Sequence, residues 1–183
     1  MIRRKLAATA CFVLGLVLLS LSRPERAPAP LTIRLLGPLA ELAADVQWVR
    51  FQHAVQNGEE ERALLLAGRA LRLDPRATEG WKYLASHLAL FLSSPEREPD
   101  RDRRAAWLRA GLEVTRRGAE HAAEPGELAM LRGIIALTKS ETDPDVLPGG
   151  VETLLDEAER AFAAAREAGI FGAEELELQV RER

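Results

Sequence analysis

Residues 63–85, ALLLAGRALRLDPRATEGWKYLA, decide the fold of this chain. Small and aliphatic residues recur with helical spacing as far as Leu73. Pro75 then prevents the helix from continuing, because proline lacks the backbone N–H that the next turn needs. A second apolar segment opens at Trp81, so the gap between the two is short. This succession is typical of one helical hairpin followed by the next in a stacked repeat array.

The composition favours an all-α fold. The chain has 183 residues, of which 47% are hydrophobic and 29% are charged, as in an ordinary folded protein. Aromatic residues make up only 5%, whereas Ala, Leu, Glu and Arg, which are strong helix formers, dominate. No segment shows the period of two that a half-buried strand requires. We therefore expect helices throughout.

The charge distribution argues against a nucleic-acid partner. The net charge of the chain is −3, and residues 1–22 contribute three positive side chains and no acid, which leaves −6 for the remainder. The basic residues of that remainder alternate with acids, as in segment 100–104. Nucleic-acid binding requires clustered Lys and Arg, because its affinity comes largely from counterion release.

The residue types that carry most chemistry do not form a recognisable set. Cys11 is the only cysteine, which excludes a disulfide within the chain and a cysteine-based metal site. The three histidines, His53, His87 and His121, belong to separate predicted elements and lack metal-ligand spacing. Ser86 precedes His87, but successive helical side chains point about 100° apart and cannot pair well. We expect no enzyme, cofactor or metal.

Residues 1–22 have the pattern of an export segment. Three positive side chains lie within residues 1–5, and residues 6–21 then run for 16 positions without a charge. A membrane-spanning helix needs about 20 apolar residues, and the core of a cleaved signal has roughly 7–15. Two interpretations are open: an uncleaved signal anchor, which Pro24 favours, or a signal cleaved near Ser20 and Ser22. The positive N-terminus predicts that the rest of the chain lies outside the cytoplasm.

After this segment, we expect residues 23–37 to form a proline-rich linker and residues 38–183 to form a helical domain. In a bacterium, the domain would be on the periplasmic side of the membrane, either anchored or free. The periodicity predicts seven helices, ended by signals such as Asn57-Gly58 and Gly169 and begun by Thr78 as a cap. Their predicted ranges are 38–57, 59–73, 78–92, 101–117, 126–140, 151–168 and 173–183.

Three of these helices carry an apolar face that we can specify. The broad apolar face of the first helix consists of Leu39, Leu42, Ala43, Val46, Val49 and Val55. The inward face of the fourth helix consists of Ala105, Leu108, Leu112 and Thr115. The last helix offers Leu176, Leu178 and Val180 for docking on the helices before it.

The hairpins resemble the tetratricopeptide repeat (TPR) family, whose unit of about 34 residues is a helix pair. Trp48 and Trp81 lie 33 residues apart. The chain departs from the family pattern at segment 93–100 and at the insertion 141–150. The matching positions are Gly58, Ala63, Ala67, Ala70, Leu71 and Pro75, then Trp81, Leu84 and Ala85, and later Ala158, Phe162 and Ala165. The resemblance implies a short α-solenoid of about three antiparallel helix hairpins plus a C-terminal helix.

The resemblance also implies where a partner would bind. First helices line the concave groove in this family, so the candidate groove residues are Val49, His53, Gln56, Lys82, Ser86 and Ala89. The family's clamp for a peptide carboxylate pairs Lys with Asn, but Ser86 takes the Asn-like place here. We expect a membrane-anchored scaffold that binds a protein or peptide in the cell envelope. The alternative is a structural module that associates with itself as a homo-oligomer.

Overall fold

The computed structural model describes residues 37–183, and within this range the protein is entirely helical. The expectations for residues 1–36 lie outside the described residues. In the part of the chain that is described, no helix is both long and apolar enough to cross a bilayer. The helices are α1 (Pro38–Gln56), α2 (Glu60–Leu73), α3 (Thr78–Ser86), a π-helical segment (His87–Leu92), α4 (Arg101–His121), α5 (Pro125–Thr142), α6 (Gly150–Glu167) and α7 (Ala173–Arg181).

Two helix ends follow the predicted signals, whereas α4 continues to His121, four residues past its predicted end at 117. Gly58 has a positive φ of 72°, its N–H donates to the Val55 carbonyl at 3.1 Å, and the next N–H donates to Ala54 at 2.9 Å. This pair of hydrogen bonds is the Schellman motif, which requires a left-handed residue and therefore favours glycine. Gly169 ends α6 in the same way, with a φ of 77°. The all-α class is confirmed for the described residues.

Two details at the third helix differ from the prediction. Thr78 does not cap α3, because Ala77 occupies the cap position and Thr78 is the first helical residue. Its hydroxyl instead accepts a hydrogen bond from the N–H of Glu124 at 3.2 Å, just before α5. The helix then widens into a π-helical segment, in which the N–H of Ser93 reaches the carbonyl of Leu88. An uninterrupted apolar sequence gives no indication of such a change.

The described chain falls into two compact units, divided between Pro75 and Arg76. In the first unit, α1 packs against α2 across the short Asn57–Glu59 connection. The buried side chains are mostly small, and small side chains allow two helices to approach closely. They are Ala40, Ala44, Phe51 and Ala54 on α1, and Ala63, Leu66, Ala67, Ala70 and Leu71 on α2.

In the second unit, α3 and the π-helical segment pack against α4, α5 packs against both α4 and α6, and α7 packs against α6. The insertion 141–150 is not merely a surface turn, since Val146 and Leu147 are buried in the core. The expected inward face of α4 is confirmed at Ala105, Leu108 and Thr115, while Leu112 is half-buried. A second cluster joins Ala136, Ala158, Phe162 and Val180.

The expected docking face of α7 is only partly present. Val180 is buried and Leu176 is half-buried against the second cluster, but Leu178 is 52% exposed. Residues two positions apart on a helix point in different directions, so the three cannot share one face. Between them Glu177 is buried and accepts a hydrogen bond from Arg166 at 2.8 Å.

Candidate interaction surface

Helix α1 carries a continuous line of exposed aliphatic side chains. Leu39, Leu42, Val46 and Val49 are 61%, 61%, 43% and 64% exposed, respectively. Their spacing of three, four and three residues places them along one side of the helix. We call these four residues the α1 stripe. Most of the broad apolar face expected from the sequence is therefore on the surface.

The opposite side of α1 is the one that is buried. Ala40, Ala44, Phe51 and Ala54 are each at most 3% exposed. The half-buried indole of Trp48 meets the ring of Phe51 edge-on, with 5.6 Å between the centroids. Helix α1 thus has two apolar sides, and periodicity alone did not distinguish the side that packs from the side that is free.

The stripe continues into the groove residues predicted on the first helix. His53 and Gln56 are exposed and follow Val49 at intervals of four and three residues. Val49, His53 and Gln56 therefore share one accessible side of α1. The character of this side changes from aliphatic at the beginning of the helix to polar at its end.

The groove residue Lys82 is already engaged. Its half-buried ammonium lies 2.8 Å from Oε2 of Glu127 and 2.8 Å from Oε1 of Glu79. Hydrogen bonding to Glu127, followed by that to Glu79, raises the pKa of Lys82. Since two carboxylates balance its charge, Lys82 would have to exchange these partners in order to bind the carboxylate of a peptide.

The other two groove residues of the second unit are less accessible. Ser86 is half-buried, and Ala89 is completely buried. Ala89 lies where the π-helical segment meets α4, so that a Cβ added at Gly111 would come within 2.6 Å of the Ala89 Cβ. Ala89 is therefore not part of an accessible groove.

The second unit contains a buried polar network that the sequence did not predict. Lys139 is only 3% exposed, and its Nζ donates to the carbonyl of Ser93 at 2.6 Å. Burial, which penalises the charged form, lowers the pKa of Lys139. The one available signal was the position of this lysine after the apolar run 134–137, which would place it on a packed helix.

Arg104 completes the network. It makes two hydrogen bonds with the carboxylate of Asp143, at 2.8 and 3.3 Å, and donates to the carbonyls of Glu98 and Pro99 at 3.2 and 2.9 Å. Together with Lys139, it ties segment 93–100 to the end of α5. These contacts give the network a structural role.

The histidines do not converge on one site. His53 is exposed on α1, His87 lies beside the ring of Phe91, and His121 stacks on Trp81 at the end of α4. Within residues 37–183, no cluster of three or more His, Cys, Asp or Glu residues has the arrangement of a metal site. The α1 stripe is therefore the surface feature that most needs an explanation.

Comparisons of this chain with protein-family models, with curated proteins and with solved structures find no match.

Proposed function

We propose that this chain is a membrane-anchored, TPR-like scaffold that binds a protein or peptide in the cell envelope, and that the α1 stripe is its contact surface. The observation that carries the proposal is the exposure of Leu39, Leu42, Val46 and Val49 in one line. Single exposed apolar residues are common and need no explanation, whereas a contiguous apolar patch marks an interaction site.

The packing of the second unit supports the repeat arrangement. Successive helices form pairs, and α5 contacts α4 and also α3, as expected when one hairpin is stacked on another. Ala158, Phe162 and Ala165, which match the family's second-helix spacing, are all completely buried. Placement outside the cytoplasm rests on the sequence of residues 1–22 alone.

A second candidate function is self-association without a dedicated peptide ligand. The spacing of the α1 stripe favours it, because alternating steps of three and four residues are the pattern of helices that pair with one another. Both candidates use the same surface, and both are binding functions rather than catalytic ones.

Crosslinking in membranes followed by mass spectrometry tests the proposal. Val49→Asp places a charge in the stripe, and we expect it to abolish the adducts between this chain and its partner. Leu65→Asp is the matched control, because Leu65 is also 64% exposed but lies on α2. If the adducts survive both Val49→Asp and Leu42→Asp, the α1 stripe is not the contact surface.

A separate experiment tests the location. Alkaline phosphatase fused after Pro30 folds into an active enzyme only outside the cytoplasm, so we expect activity in a bacterial host. An inactive fusion that is nevertheless produced would contradict export.

A further inference from the structure

The α1 stripe has the spacing of a coiled-coil seam. In a heptad labelled a to g, Leu39 and Val46 take position a, and Leu42 and Val49 take position d. The buried residues Ala44 and Phe51 then fall at position f, on the far side of the helix from the seam. Helix α1 can therefore receive another helix along the stripe while its other side stays packed.

The charges beside the stripe are complementary to those of a second copy. Asp45 occupies position g and Arg50 position e, and both side chains are exposed. In a parallel pair, position g of one helix faces the next position e of the other, so each Asp45 would lie opposite an Arg50, twice in a symmetric dimer. An antiparallel pair would instead bring g beside g and e beside e, which sets like charges against each other.

We propose that a second copy of this chain occupies the α1 stripe, with the two α1 helices parallel and Asp45 of each copy opposite Arg50 of the other. This rests on the proposed function only in using the α1 stripe as the contact surface, and it deepens the second candidate, self-association, by specifying the orientation of the two copies. The two copies are related by a twofold axis along the seam, as in most homodimers.

The proposed anchor in residues 6–21 favours the same orientation. Two chains inserted in one membrane from the same side both begin α1 at the membrane-proximal end of the domain, which favours parallel first helices over antiparallel ones. Confinement to a membrane also raises the effective concentration of the two seams. That matters because the aliphatic seam spans only two heptads before His53 and Gln56 follow at the next a and d positions. Polar residues there weaken the seam, and we expect pairing to be confined to the part of α1 from Leu39 to Arg50.

Disulfide trapping of the full chain in membranes tests the pairing. Cys11 is first replaced by Ala, and one cysteine is then introduced as Leu42→Cys or Val49→Cys. Identical d positions face each other in a parallel pair, so both variants are expected to give disulfide-linked dimers on mild oxidation. Leu65→Cys, equally exposed on α2, is the control and is expected to remain monomeric.

Charge exchange in the Leu42→Cys background tests the partner and the orientation. Asp45→Arg or Arg50→Asp alone sets like charges opposite each other and is expected to lower the trapped fraction by roughly fivefold. The two changes combined restore the opposite pairs and are expected to restore trapping. If a different protein occupied this surface, the double exchange would not restore binding, because the charges of that protein would be unchanged.

The outcomes separate the two proposals. Absence of trapped dimers at both d positions, or a double exchange that fails to restore trapping, overturns the pairing of two copies. If adducts with another protein still depend on Val49, the proposed function stands while the second copy is rejected. If neither trapping nor adducts respond to changes in the stripe, both proposals fail. Circular dichroism of each exposed variant checks that the helices are intact.

Discussion

Helix α1 and the α5–α6 pair use apolar residues in opposite ways. In α5 and α6 large side chains form the core, since Leu128, Ile135, Leu154 and Phe162 are completely buried, although Ile134 and Val151 are exposed. Phe162 lies so close to Gly133 that an added Cβ there would come within 2.5 Å of its ring. In α1 the buried side is mostly alanine, and the large aliphatic side chains are exposed. The comparison teaches that helical spacing of apolar residues does not by itself define a core.

The largest expected effect tests this contrast directly. Phe162→Ala should lower the free energy of unfolding by about 3–5 kcal/mol, because it removes a buried ring and leaves a cavity. Val49→Ala should change it by no more than about 0.5 kcal/mol, as at other exposed sites. Urea titrations followed by circular dichroism measure both, at a protein concentration too low for association. Equal losses would mean that Val49 is buried in solution.

The ion pairs of the two units provide a second test. Arg104→Ala should lower the free energy of unfolding by about 2–3 kcal/mol. The change removes the donor that serves the nearly buried carboxylate of Asp143 and the carbonyls of Glu98 and Pro99. Arg62→Ala removes an exposed pair with Glu59 in the first unit and should have little measurable effect. The same titrations apply. A negligible effect of Arg104→Ala would show that segment 93–100 is held by other contacts.

Two glycines distinguish close packing from open surface. Gly111→Ala should lower the free energy of unfolding by about 1–2 kcal/mol. The new Cβ would lie 2.6 Å from the Cβ of Ala89 and 2.9 Å from the carbonyl oxygen of Ala85. Gly68→Ala in α2 should instead stabilise the chain by about 0.5–1 kcal/mol. Its Cβ would meet only the end of Arg72 at 3.6 Å, and alanine favours the helix. If both variants changed the free energy of unfolding in the same direction, Gly111 and Gly68 would not differ in packing as described.

The last prediction concerns pH. Burial holds the pKa of Lys139 in the folded chain below its ordinary value of 10.5. At a pH between the lowered pKa of the folded chain and the ordinary pKa of the unfolded chain, the unfolded chain therefore binds more protons than the folded one. Stability therefore rises with pH in that window, by at most about 1.4 kcal/mol per pH unit, and Lys139→Met should lack this rise. The pKa of Lys82 is raised, so the stability that this lysine contributes is fully present below pH 10.5 and is lost as the pH rises through its pKa in the folded chain. Parallel pH profiles for wild type and Lys139→Met would contradict the prediction.

Local signals predicted the helices well. Pro75, Gly58 and Gly169 end helices through their own backbone chemistry, which needs no distant partner, and the structure places helix ends at all three. Thr78 has the local chemistry of a cap but bonds to Glu124, 46 residues away, because a hydroxyl accepts from whichever N–H the fold brings to it. The π-helical segment was also missed, since a wider turn leaves no mark on an apolar run.

The candidate surface was predictable only in part. Val49, His53 and Gln56 are accessible on one side of α1, whereas Ala89 is buried. An alanine carries no signal that separates a groove from a close helix crossing, and only the position of Gly111 opposite Ala89 resolves the two. Lys139 and Arg104 meet segment 93–100 through backbone carbonyls, which every residue possesses and which the side-chain pattern cannot reveal.

The sequence by itself determined the helical class and the ends of most helices, together with the heptad spacing and the flanking charges of α1. These are properties of neighbouring residues along one helix, and they follow from backbone geometry. The tertiary structure alone decided that the alanine side of α1 is buried and the α1 stripe is exposed. That choice depends on which side a second helix can approach closely, and α2 packs where small side chains leave it room.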